Sequence, residues 1–133
     1  MTAALTPVLA LAYLSELSAD VRAAIVLDAG GEVLAAKRGG GGEAGRASDA
    51  ELAEAARELL AEAPIVRALT ERGGAFGARD DLHGVVVATG PLALSNLAIH
   101  DLRSVLAALG GTPPQAPVSD ASPDAARTLL DAL

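Results

Sequence analysis

The chain has 133 residues, a length that suits one domain able to bury roughly two-thirds of the surface its unfolded form exposes. Its formal net charge of −7 argues against nucleic acid and against an anionic membrane as partners, because both need clustered Lys and Arg. The absence of cysteine excludes disulfides and thiolate chemistry, and with only Tyr13 and Phe76 as aromatics the core must be built from Leu, Val, Ile and Ala.

The N-terminal stretch MTAALTPVLALAYL is apolar but lacks the basic start of a signal peptide. Its uninterrupted apolar run is far shorter than the roughly 20 residues of a membrane span. The expectation is a soluble, cytoplasmic protein.

Thr6 followed by Pro7 reads as a helix start, a capping hydroxyl and then a ring whose φ suits the first turn. Leu9, Tyr13 and Leu17 continue at helical spacing with Ala10 and Leu14 beside them, and the helix is expected to fray near residues 18–20. The stretch IVLDAGGEVLAA then predicts a β-hairpin, with strands at residues 22–28 and 32–37. Ile25 and Leu27 point one way along the first strand, and Ala24 and Val26 the other. A strand apolar on both sides belongs inside a sheet covered on both faces.

Residues 38–48, RGGGGEAGRAS, contain four consecutive glycines but no following Gly-Lys-Ser/Thr, so a mobile linker is expected rather than a phosphate loop. Ser48-Asp49-Ala50-Glu51 is a capping box that opens a second helix, which Pro64 stops near Ala63. Leu52, Ala56, Leu59 and Ala63 form one face of this helix. Ala53, Ala56 and Leu60 suggest a second, smaller apolar ridge, and Glu51, Glu54, Glu58 and Glu62 spread around the solvent side.

Three extended segments are expected next. AFGAR (75–79) reads as an edge strand, Asp80-Asp81 as a turn, and HGVVVATG (83–90) as a strand apolar on both faces. LALSNLA (92–98) is open between a last strand and the start of a helix. Leu102, Val105, Leu106 and Leu109 then mark a helix over residues 99–109. The chain divides into a domain at 1–110, a Pro-rich linker at 111–121 and a short helix at 122–133. At about ten residues that last helix is marginal alone and needs a docking surface.

Catalytic chemistry is thinly represented. His83 beside Asp80 and Asp81 reads as a strand start after a turn, and Asp101 beside His100 as a first-turn acid complementing the helix dipole. With no His pair at i, i+4 and no Cys, no metal site is expected, and no nucleophile elbow or dinucleotide fingerprint is present. The expectation is a non-enzymatic binding module without a cofactor.

The leading helix, VRAAIVLDAGGEVLAA, the helix DAELAEAARELL and the final LHGVVVATG…HDLRSVLAAL together resemble the roadblock/dynein light chain family, in its bacterial single-domain form. The resemblance covers residues 7–109 and rests on element order and on the hairpin around Asp28 and Gly31. It implies an α+β sandwich of order α-β-β-α-β-β-β-α, a five-stranded antiparallel sheet with one helix on one face and two on the other. It also implies a homodimer, pairing the middle helix and the edge strand after it, that serves as a platform for a Ras-like small GTPase. Profilin, PAS and GAF domains share a similar plan, so a small ligand-sensing domain is the alternative.

On this reading Ala53, Ala56, Leu60, Ala75 and Phe76 would form the dimer interface, since a paired copy would bury the second ridge and cover the edge strand. Glu51, Glu54, Arg57, Glu58 and Glu62 would lie nearest the GTPase.

Overall fold

In the computed structural model, residues 6–17, 21–38, 49–91, 94–112 and 114–121 are described, together with Asp124 and Arg127. The expectations for the glycine-rich stretch 39–48, the Ser48 cap included, fall outside these residues. So does the 122–133 helix apart from Asp124 and Arg127, which are helical and joined by an ion pair at 3.2 Å.

The elements run α1 (Pro7–Leu17), β1 (Val21–Asp28), β2 (Val33–Arg38), α2 (Asp49–Glu62), β3 (Ile65–Thr70), β4 (Gly73–Arg79), β5 (His83–Thr89), α3 (Ser95–Ala108) and β6 (Ser119–Asp120). Up to α3 the order is the expected one, but two strands are placed differently. IVRALT, between Pro64 and the Glu71-Arg72 turn, is β3. Residues 92–98 supply no strand among the described residues, for Leu94 precedes α3 and Ser95 opens it. Asp101 therefore sits in the second turn of α3 rather than the first.

All strands join one sheet of order β2-β1-β5-β4-β3-β6. The first five pair antiparallel, and β6 adds in parallel to β3, so the sheet is mixed and six-stranded. The expected edge strand, β4, is interior: β3 flanks it on one side and β5 on the other. The edge of that half of the sheet is β3, covered by β6 at Val66 and Arg67 alone.

One face of the sheet packs on α2, through Ala23, Ile25, Leu27, Val66, Ala68, Ala75, Val86 and Ala88. The other packs on α1 and α3, through Ala24, Val26, Phe76, Ala78, Val85 and Val87. The two-sided apolar pattern of β1 thus serves two separate cores. Each fully buried Val, Leu or Ile among them contributes about 1.5–3 kcal/mol.

Thr6 caps α1, accepting from the Leu9 amide through Oγ1 at 3.2 Å. The helix buries Ala10, Leu11 and Leu14, whereas Leu9 and Tyr13, which mark its spacing in the sequence, are exposed. Around the hairpin turn, Asp28 Oδ1 accepts from the Gly30 and Glu32 amides at 2.8 and 2.9 Å. Gly31 adopts φ 87°, the left-handed conformation that lets the chain double back into β2.

Candidate functional site

The buried stripe of α2 is wide: Ala53, Ala55, Ala56, Leu59 and Leu60 all face inward. Leu60 enters a notch made by two glycines. A Cβ at Gly77 would lie 2.9 Å from Leu60 Cδ2, and one at Gly84 would lie 2.6 Å from Leu60 Cδ1. The expected second ridge is therefore part of the core face. Ala53, Ala56, Leu60, Ala75 and Phe76 are between 0 and 6% exposed within a single protomer. Ala75 lies under α2 and Phe76 under α1 and α3, so all five side chains are buried in the core of the protomer itself.

The outer face of α2 carries Glu54, Arg57, Glu58, Ala61 and Glu62, all exposed. Glu51 belongs to the same helix, but its side chain lies outside those described. Arg57 anchors this face to the hairpin: Nη1 donates to the Gly31 carbonyl at 2.7 Å and Nη2 to Glu54 at 3.0 Å. With Arg57 so engaged, Glu58 and Glu62 leave the end of the face acidic.

Beside it, a cleft of about 260 Å³ opens between the hairpin turn, α2 and the β4–β5 turn. Arg57, Leu60, Arg79, Asp80, His83 and Gly84 are among the residues that line it. Arg79 Nε donates to the Leu60 carbonyl at 2.8 Å, tying the end of α2 to the sheet. Asp80 Oδ1 accepts from the Leu82 and His83 amides, both at 2.8 Å, and so builds the turn that the sequence placed there. Asp80 Oδ2 and His83 Nδ1 are buried without a hydrogen-bond partner among the described residues.

His83 opens β5, and His100 is exposed on α3. Burial raises the Asp101 carboxyl above its usual range, and the neighbouring His100 opposes that shift. His83 thus lies on β5 and the His100–Asp101 pair on α3, and among the described residues the two are not joined in one constellation. Among the described residues no cluster of three or more His, Asp or Glu could hold a metal ion, and no helix is long and apolar enough to cross a membrane.

No protein-family model matches the chain, and no curated protein does either. Among solved structures it is similar to the Roadblock/LC7 domain from Streptomyces avermitillis, with 20% identity over 74% of this chain and 93% of that one and a TM-score of 0.58. The fold is that of the roadblock domain. The gliding protein MglB from Thermus thermophilus is also similar, with 18% identity over 77% of this chain and 84% of that one and a TM-score of 0.60. An MglB of tetrameric arrangement is 18% identical over 96% of this chain and 90% of that one, again with a TM-score of 0.60.

Within this roadblock fold, sequence reasoning overlooked Arg67, Arg79 and the glycine pair that receives Leu60. A signal existed for Arg67, since IVRALT is a short β-prone run between a proline and a Gly-bearing turn. For Arg79 no local pattern announced a bond to a carbonyl nineteen residues away.

Proposed function

We propose that this chain is a self-associating, non-enzymatic regulator or scaffold that binds a Ras-like small GTPase and modulates its GTP hydrolysis. The observation that carries the reading is the roadblock fold, with its acidic α2 face exposed and its β3 edge only partly covered. The family that the sequence resembles implies the GTPase. The tetrameric arrangement of one similar MglB supports self-association. Because the α2 face carries charge and no apolar ridge, self-association is assigned to the β3 edge, and Glu54, Arg57, Glu58 and Glu62 are assigned to the GTPase.

The test is pull-down with Ras-like GTPases encoded near this chain, loaded with GTP or GDP, together with their hydrolysis rates. Binding that Glu54→Lys with Glu58→Lys weakens supports the reading. No binding in either nucleotide state, and no interaction of the native protein altered by the double substitution, would overturn it. The cleft beside α2 favours a second reading, a small ligand-sensing domain, because it combines two arginines with two buried polar atoms lacking partners among the described residues. A small molecule retained by the purified protein and lost on Arg79→Ala would favour that reading instead.

A further inference from the structure

Beyond α3 the chain returns to the sheet and lays Ser119 and Asp120 alongside Val66 and Arg67. Three contacts hold it there. The Ala121 amide donates to the Arg67 carbonyl at 2.7 Å. Arg67 Nε donates to Asp120 Oδ1, also at 2.7 Å. Ala121 packs, partly buried, against the core beneath α2. The ion pair holds the Asp120 carboxyl below its usual range and raises the Arg67 guanidinium, yet its side chains remain 69% and 29% exposed.

This hold is short and wet. It covers the first half of β3 and leaves Ala68 to Thr70 without a strand partner on that side among the described residues. There Leu69 is 52% exposed. A strand edge of this kind is a template for another strand. Every other strand of the sheet among the described residues already has its place in the order, and a strand from a second protomer can fill this one. A second β3 suits it, since IVRALT has one charge in six residues and a two-fold axis would set few like charges together.

We propose that residues 119–121 are a releasable cover on the β3 edge, competing with a second copy's β3 for the same backbone groups, so that self-association requires their displacement. The proposal rests on the self-association assigned above. It adds that the protomer carries its own competitor, fastened by Arg67 and Asp120.

The cysteine-free sequence makes the test clean. In the full chain, Arg67→Cys with Asp120→Cys places two cysteines at facing positions of β3 and β6. Oxidation, carried out dilute and checked for intramolecular closure, locks the cover, and reduction frees it without the native ion pair. Sedimentation velocity across a concentration series then compares the two forms. The oxidised form should stay monomeric, and the reduced form should associate about twofold to tenfold more tightly than wild type, the ratio expected when roughly one hydrogen bond's worth of competition is removed. Ala121→Pro, which deletes the amide that bonds Arg67, should shift association the same way. Equal association of oxidised and reduced forms would overturn the cover while leaving self-association standing. Monomers throughout, with Ala121→Pro included, would overturn both.

Discussion

Leu60 and Gly84 offer a test in which the sign of a single substitution should depend on its neighbour. Leu60 is 6% exposed, and cutting it to Ala removes three buried carbons, which costs about 2–5 kcal/mol in cores of this kind. A Cβ at Gly84 would lie 2.6 Å from Leu60 Cδ1, so Gly84→Ala forces the leucine off its seat, a strain of about 1–3 kcal/mol. Against that, Ala restricts the unfolded chain and returns about 0.4–1 kcal/mol. The net effect in the native background is a loss of about 1–2 kcal/mol. With Leu60 already Ala, the next atoms near that Cβ belong to Arg79, at an ordinary 3.8 Å. Gly84→Ala should then stabilise, by about 0.4–1 kcal/mol or more as the methyl refills the gap. Urea denaturation of the four proteins resolves this, because m-values near 1–3 kcal/mol/M turn such differences into midpoint shifts of several tenths molar. Equal destabilisation by Gly84→Ala in both backgrounds would refute the notch as the reason for glycine at this position.

Three further outcomes follow from particular residues. Gly31→Ala should lower stability by about 1–2 kcal/mol because φ 87° disfavours a β-carbon, and Gly31→Asn should cost clearly less; equal losses in thermal melts would show that φ is not the cause. Asp101→Asn should raise the urea midpoint at pH 7. Burial lifts the folded-state pKa of Asp101 above its unfolded value, so the charged form is penalised above that range and the gain should fade as pH falls through it; a gain unchanged at pH 3 would contradict this. His83→Ala and His100→Ala should each leave any stimulated GTP hydrolysis within a few fold, whereas a loss of about a hundredfold in a folded variant would mark a general acid or base.

The hairpin, α2 and β5 were legible because their signals are local: an Asp-x-x-Gly turn, a helix stopped by Pro64, a β-branched run in His83–Thr89. The inner face of α1 was not, because PVLALAYLSEL is apolar almost all round and periodicity alone cannot choose a side. Missing β3 moved the expected edge to β4, and that single displacement carried Ala75 and Phe76 from the core into a supposed interface. The second ridge on α2 failed for a packing reason. Ala53, Ala55, Ala56, Leu59 and Leu60 are buried together, a wider stripe than one helical face at the usual spacing supplies. Of the candidate site, the acidic face could be read from the three- and four-residue spacing of its glutamates. The Arg67–Asp120 pair could not, since it joins residues 53 apart.

These corrections separate two surfaces that the sequence alone ran together. Had α2 carried an apolar ridge, it would have served self-pairing. The ridge is spent inside the protomer, and the helix shows a second copy Glu54, Glu58 and Glu62, with Arg57 tied to the hairpin carbonyl and to Glu54. A two-fold axis through that face would oppose carboxylates of equal charge on a chain already at −7, which disfavours encounter. The same charges favour approach by a basic surface, acting mainly on association rate and weakening with salt. The β3 edge has the converse properties: one charge in six residues, an exposed leucine, and backbone groups that any strand can pair. On the proposed reading, self-association would use the sheet edge and a charged partner the helix, and neither surface would displace the other. On the edge, among the described residues, the segment 119–121 is what a second copy would have to displace.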